Sequence, residues 1–235
     1  TDYRPDDLSL NDYRTPKWMA HFALENADHI FVQTESQQRM LASRFRRHGM
    51  LIRNPVRISA EDPSHWPTRT KRDLVLWIGR ADAFNKRPLL CLELAERCPE
   101  LSFLMILNKT HADVFDAVQA RRPTNLTIVE RVPHAEIWDY YRRARVFVNT
   151  SVYEGFPNTF LQCAVAGVPV ASLTVDPEGI LSRHGCGLLA GGSLVTLERH
   201  VHALWPDAEL AARHALTLHS YALAHHGLGS QVERF

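Results

Sequence analysis

The stretch LVLWIGRADAFNKRPLLCLELAERCPELSFLMIL, residues 74–107, decides the fold. LVLWIG (74–79) is a continuous apolar run of strand length that ends in a Gly. RPLLCLELAERC (87–98) has helical spacing and carries Pro88 near its first turn, where a missing N–H costs nothing. LSFLMIL (101–107) is a second continuous strand. Strands that are apolar throughout, rather than at alternate positions, are covered on both faces, and a helix between two of them makes the pair parallel.

The alternation continues outward from this unit. ADVFDAVQARR (112–122) reads as a helix, LTIVERV (126–132) as a strand, AEIWDYYRRA (135–144) as a helix and VFVNT (146–150) as a strand. PNTFLQCAVA (157–166) and VPVASL (168–173) complete the series. With right-handed crossovers this is an α/β fold, a doubly wound Rossmann-like domain expected over residues 74–225. Residues 1–58 hold about one further βαβ unit, too little for a core of its own. The polar, Pro-containing stretch 59–73 reads as a linker, and 226–235 as the start of another helix. The expectation is a fragment of one α/β domain followed by a whole one, with the sequence truncated at both ends.

Composition narrows the function classes. The 235 residues are 45% hydrophobic and 23% charged, with a formal net charge of +1, so no global field points to nucleic acid. No window approaches a membrane span, and the polar N-terminus is no signal peptide. The four cysteines form no close pair with metal or redox spacing, which favours reduced core thiols and a cytoplasmic chain. Thirteen histidines include no zinc-binding spacing. The basic cluster RFRRHGMLIR (44–53) reads first as a solvated helix face, and second as a peripheral contact with anionic lipid or a phosphorylated acceptor.

Ligands of open α/β sheets bind beyond the carboxyl ends of the strands, where loops enter helices. GRADAFNKRP (79–88) is one such loop. Gly79 allows close backbone approach, and Arg80 and Lys86 offer a planar fork and a mobile ammonium suited to a diphosphate. Surface Arg and Lys are also commonplace in loops. YEGFPNTFLQ (153–162) is the other loop, leading from a tight turn at Gly155 into a helix whose first amides face a ligand. Helical spacing aligns Asn158, Thr159, Gln162 and Ala166 on one stripe. Two readings stay open here. Glu154 and Gln162 line a cleft, or Glu154 caps the helix electrostatically and Gln162 is solvated.

These motifs resemble a known family. Glu154 to Gln162 with GFPNTFLQ resembles the Glu-x7-Glu motif of the retaining glycosyltransferases of family 4, which have the two-domain GT-B fold. IGRADAFNK (78–86) resembles that family's Gly-Arg…Lys loop. NADHIFVQTESQ and LIRNPV resemble the end of its N-terminal domain, and VERVPHAEIWDYYRRARVFVNTSVYEG and DPEGILSRHGCGLLAGG resemble the segments around the Glu motif. The resemblance implies the donor-binding half of an enzyme that transfers a hexose from a nucleoside diphosphate sugar to a glycan or lipid-linked acceptor, with retention. Arg80 and Lys86 would neutralise the leaving diphosphate, so that no metal or other cofactor is required. Gly79 and the amides around Phe156, Pro157, Asn158 and Thr159 would complete the phosphate cradle. Glu154, with Gly155 and Phe156, would contact the donor sugar. Gln162 would hold the ribose, and Glu130, Arg131 and Val132 would line the base pocket.

The sequence departs from the pattern twice. Gln162 stands where the motif has Glu, which loses charge-assisted strength toward hydroxyls. Glu130 stands where Gly is usual. The acceptor wall of the family's cleft belongs to an N-terminal domain of which this chain holds only the final unit. A non-catalytic nucleotide-sugar-binding subunit working with a partner chain, or another GT-B activity such as epimerisation, are the competing readings.

Overall fold

The computed structural model describes residues 16–57, 66 and 72–229. The expected linker, apart from Trp66, Arg72 and Asp73, and the tail beyond 229 therefore lie outside the described residues. The chain divides into two compact units, Thr1–Asn54 and Pro55–Phe235.

In the first unit, helix α1 (Lys17–Asn26) is followed by strand β1 (Phe31–Val32), helix α2 (Glu35–Phe45) and strand β2 (Met50–Leu51). The strands are parallel, pairing Phe31 with Met50 and Val32 with Leu51. Thr34 starts α2 because its hydroxyl accepts from the Gln37 amide while the Gln37 side chain returns to the Thr34 N–H. Within the basic cluster Arg44, Arg46 and His48 are exposed, whereas Arg47 and Arg53 are bonded within the unit. Arg47 donates to the last carbonyls of α1, and the buried Arg53 pairs with Glu35 at 3.2 Å. These two guanidiniums hold the unit together and are not a solvated face.

The second unit is the Rossmann-like domain. Six parallel strands, β3 (Leu74–Arg80), β4 (Phe103–Asn108), β5 (Leu126–Val129), β6 (Ala144–Asn149), β7 (Val170–Ser172) and β8 (Gly187–Leu189), lie in the order β5-β4-β3-β6-β7-β8. Helices α3 (Pro88–Arg97), α4 (Ala112–Arg121), α5 (Ile137–Arg143), α6 (Asn158–Ala166), α7 (Leu194–Leu204) and α8 (Ala208–His226) cover it. Successive strand residues serve opposite cores, as the pleat demands. Val75, Trp77, Phe103, Met105, Val146 and Val148 pack under α3, α4 and α7. Leu74, Leu76, Leu104, Ile106 and Phe147 pack under α5, α6 and the second half of α8. Because both faces are buried, the interiors of β3, β4 and β6 are almost entirely apolar, which is why the continuous runs were legible.

The strand order reverses direction between β3 and β6. Chain connections leave to opposite sides there, so the loops after these two strands border an open crevice. They are the two loops that carry Arg80, Lys86 and Glu154. The fold thus brings together groups more than sixty residues apart.

Two glycines have identified packing reasons. A Cβ at Gly79 would lie 2.6 Å from the Trp77 indole, so this position is Gly to admit that ring. Close approach to a ligand is not needed to explain it. Gly167 ends α6 in the left-handed conformation, φ 65°, with the Trp66 ring where its Cβ would stand. Gly167→Ala combines backbone strain with that clash, and is expected to cost about 2 kcal/mol. A thermal midpoint lower by about 4–8 °C in calorimetry would match.

Candidate functional site

The loop after β3 is shaped by Asp82. Its Oδ1 accepts from the amides of Phe84 and Asn85, both at 3.0 Å, and its carbonyl accepts from Arg87 N at 2.8 Å. Asp82 also holds the Arg80 guanidinium, Oδ2 to Nη2 3.8 Å, while Arg80 stays 43% exposed at the sheet's carboxyl edge. Asn85 then zips this loop to the loop after β6. Its carbonyl accepts from Val152 N at 2.8 Å and its side-chain oxygen from Tyr153 N at 3.1 Å.

Thr150, fully buried, is the second fastener. Its hydroxyl donates to the Lys86 carbonyl at 2.7 Å and accepts from the Trp77 indole N–H at 2.9 Å. Arg87 is the third. It donates from Nε to the Thr150 carbonyl at 2.8 Å, and from Nη2 to the Ser151 carbonyl at 3.3 Å and Thr174 Oγ1 at 3.2 Å. Partial burial lowers the affinity of its guanidinium for the proton, but far too little to discharge an Arg at neutral pH.

These fasteners bring Lys86 and Glu154 into contact. Lys86 Nζ donates to Glu154 Oε1, and Ser151 Oγ donates to the same oxygen at 2.9 Å. The two side chains are only 20% and 17% exposed, so their mutual attraction is weakly screened. Glu154 is bonded to Lys86 and Ser151, and α6 begins after the N-cap Pro157 with no side-chain cap hydrogen bond.

The remaining expected residues divide. Asn158 is exposed and Thr159 half-buried on the first turn of α6. Pro157 has no N–H, so it can donate nothing to a phosphate cradle. Phe156 is 3% exposed, and its ring packs 4.1 Å from the ring of His226. Gly155 is not among the glycines with positive φ, so its role in the turn is not a left-handed one. Gln162 is half-buried and tied to α5, whose Tyr141 hydroxyl donates to its Oε1 at 2.7 Å. Burial holds the Tyr141 phenol neutral, well above its ordinary pKa, and its proton needs an acceptor. That fixes the amide orientation and leaves the donating function of Gln162 to its Nε2. Glu130 and Arg131 are exposed on the loop between β5 and α5, and Val132 packs partly into the core under α5 and α6.

Sequence reasoning missed Asp82, Asn85, Arg87, Thr150 and Ser151. Asp and Asn two and five residues past a strand carried a turn signal; nothing marked the Arg or the two hydroxyls. Elsewhere, Cys98, His202 and Glu100 form a row at the far end of α3, with contacts of 3.6 and 3.5 Å. Burial, with Glu100 and Glu198 adding to it, pushes that thiol up to about 12, so it is no nucleophile. Among the described residues no three His, Cys, Asp or Glu side chains converge as metal ligands, and no helix is long and apolar enough to cross a membrane.

A family model described as "Glycosyl transferases group 1" matches residues 72–207, more than half of the chain, and spans both loops. The chain belongs to the group 1 glycosyl transferases. Its solved structural relatives agree in fold. A mutant of S. aureus TarM, in complex with fondaparinux, alpha-GlcNAc-glycerol and UDP, superposes with TM-score 0.78 at 18% identity, over 95% of this chain and 47% of that one. Sucrose-phosphate synthase from Thermosynechococcus elongatus gives 0.76 at 18% identity, over 98% and 63%. Anabaena HepE, in complex with UDP and glucose, gives 0.76 at 14% identity, over 98% and 68%. This glycosyl transferase chain thus spans about half the length of TarM and under two thirds of the synthase. No curated protein sequence matches it significantly. The Rossmann-like unit is that of the C-terminal domain of GT-B glycosyltransferases.

Proposed function

We propose that the second unit is the donor-binding domain of a retaining, family 4-type glycosyltransferase that moves a hexose from a nucleoside diphosphate sugar to a glycan or lipid-linked hydroxyl. The observation that carries this is the contact of Lys86 with Glu154 across the crevice between β3 and β6, with Arg80 on the same loop. Support also comes from group 1 membership and from the UDP present in the TarM and HepE complexes.

In this reading the diphosphate sits against Arg80 and Lys86 and the first amides of α6. As the bond from the anomeric carbon to the phosphate oxygen breaks, its electron pair goes to the diphosphate. Fixed positive groups are most effective when aimed at charge that develops in the transition state. Arg80 and Lys86 supply that charge, so the mechanism calls on no metal. Glu154, one atom from Lys86, faces the sugar and favours its growing positive character. Gln162 Nε2 donates to a ribose oxygen. The acceptor hydroxyl oxygen forms the new bond to the anomeric carbon, and its proton passes to the departing diphosphate oxygen.

Calorimetric titration of UDP, GDP and ADP against the chain tests the reading. One nucleotide is expected to bind, and Arg80→Ala is expected to weaken it about tenfold, the effect of one charge-assisted contact. If none binds at millimolar concentration, or the variant binds equally well, the diphosphate assignment is wrong.

A further inference from the structure

Resting on the donor-site reading, we propose that Arg87 is the positioning residue of the site: it sets how Lys86 stands toward Glu154. Arg87 directly follows Lys86 and adopts φ 49°, ψ 58°, a left-handed conformation that a side chain disfavours. Among the described residues only Arg46 and Glu178 are other non-glycines with positive φ. Arg46 closes a helix, where such a conformation is customary. Arg87 instead opens one, at the N-cap of α3, where extended backbone is the rule. A conformation of this kind persists only where its surroundings over-determine it.

The surroundings are all parts of the site. The Arg87 N–H is held by the Asp82 carbonyl at 2.8 Å, and its own carbonyl is the weaker, 3.2 Å arm of the Thr150 hydroxyl bond shared with the Lys86 carbonyl. Its guanidinium then spans the carbonyls of Thr150 and Ser151 and the hydroxyl of Thr174, joining the chain after β3 to the chains after β6 and β7. Ser151 is the residue whose hydroxyl holds Glu154. Arg87 is therefore bonded covalently to one partner of the ion pair and one residue away, through hydrogen bonds, from the other. The planar fork is needed for this. A Lys ammonium can approach one of the three acceptors but not span them.

A purely architectural role predicts something different. Gly at position 87 accepts the left-handed conformation without strain, so Arg87→Gly removes the fork while relieving the backbone. The test compares wild type, Arg87→Gly and Arg87→Lys by thermal unfolding, by the NMR signal of the Lys86 ammonium (identified by its loss in Lys86→Ala), and by UDP affinity. Arg87→Gly is expected to stay folded, to shift the Lys86 signal toward that seen in Glu154→Gln, and to bind UDP about tenfold more weakly. Arg87→Lys is expected not to recover either property, whereas added guanidinium ion restores them in part. An unchanged Lys86 signal in Arg87→Gly overturns the proposal, whether stability alone falls or UDP affinity falls with it, since the latter would make Arg87 a direct nucleotide contact. If Arg87→Gly does not fold, the same signal in Arg87→Lys decides. If wild type binds no UDP, the donor-site reading fails, and the Lys86 signal still judges the clamp.

Discussion

Glu154→Gln is expected to tighten UDP binding about fivefold while lowering turnover of a nucleotide sugar about a hundredfold, the scale of losing one preorganised charge. The opposite signs follow from one arrangement. Lys86 is held by the Glu154 carboxylate, and both side chains are more than three-quarters buried. In the proposed donor site a diphosphate would draw Lys86 away from that carboxylate and then have to tolerate a negative neighbour, which costs more in a weakly screened crevice than in water. Gln keeps the shape of the side chain, and its amide oxygen can still accept from Ser151. The substitution removes the charge and little else, so UDP, which has no sugar to place, gains. In the proposed donor site the transition state would lose, because its sugar would carry growing positive charge beside position 154. Calorimetry with UDP and release of labelled glucose from UDP-glucose measure the two effects separately. Weaker UDP binding with unchanged turnover would leave Glu154 as a counter-ion for Lys86 and nothing more.

What could be read in advance follows from how each feature is encoded. Burial on both faces writes β3, β4 and β6 as unbroken apolar runs, and their alternation with helices dictates a parallel sheet. β8 is three residues, Gly187–Leu189, and α8 is an Ala- and His-rich helix with buried His214, His219 and His226, so neither advertises an apolar stripe. The charged loop residues stood out in the sequence because open α/β sheets take ligands where such loops enter helices, although Arg and Lys are common in any surface loop. The fasteners did not, since their partners lie far away in sequence. Thr150 meets Lys86 across sixty-four positions and Tyr141 meets Gln162 across twenty-one. Gly79 shows how one signature can have a local cause: a Cβ there would meet Trp77, two residues earlier on the same face of β3.

The same limit applies most strongly to Arg72, which the sequence places in a polar linker and the structure buries to 4% exposure. Arg72→Ala is expected to be the most destabilising of these substitutions, at about 3–5 kcal/mol. The guanidinium donates to the carbonyl of Ala144 at 2.8 Å and to that of Ala166 at 2.7 Å, joining the first residue of β6 to the last turn of α6. Both carbonyls sit where regular hydrogen bonding has stopped, and helix ends in particular leave acceptors that need an outside donor. Burial pushes the pKa of Arg72 down to about 10, with the Cys163 thiol acting in the opposite sense, so the group remains charged at neutral pH. Its two bonds are therefore charge-assisted, and removing it orphans two buried acceptors at once. The expected drop in thermal midpoint is on the order of 10 °C for a unit of this size. Arg72→Lys separates charge from geometry, because one ammonium cannot serve two carbonyls on different elements. It should recover less than half of the loss. Equal stability of Arg72→Ala and wild type would mean that water or a neighbouring donor satisfies both carbonyls.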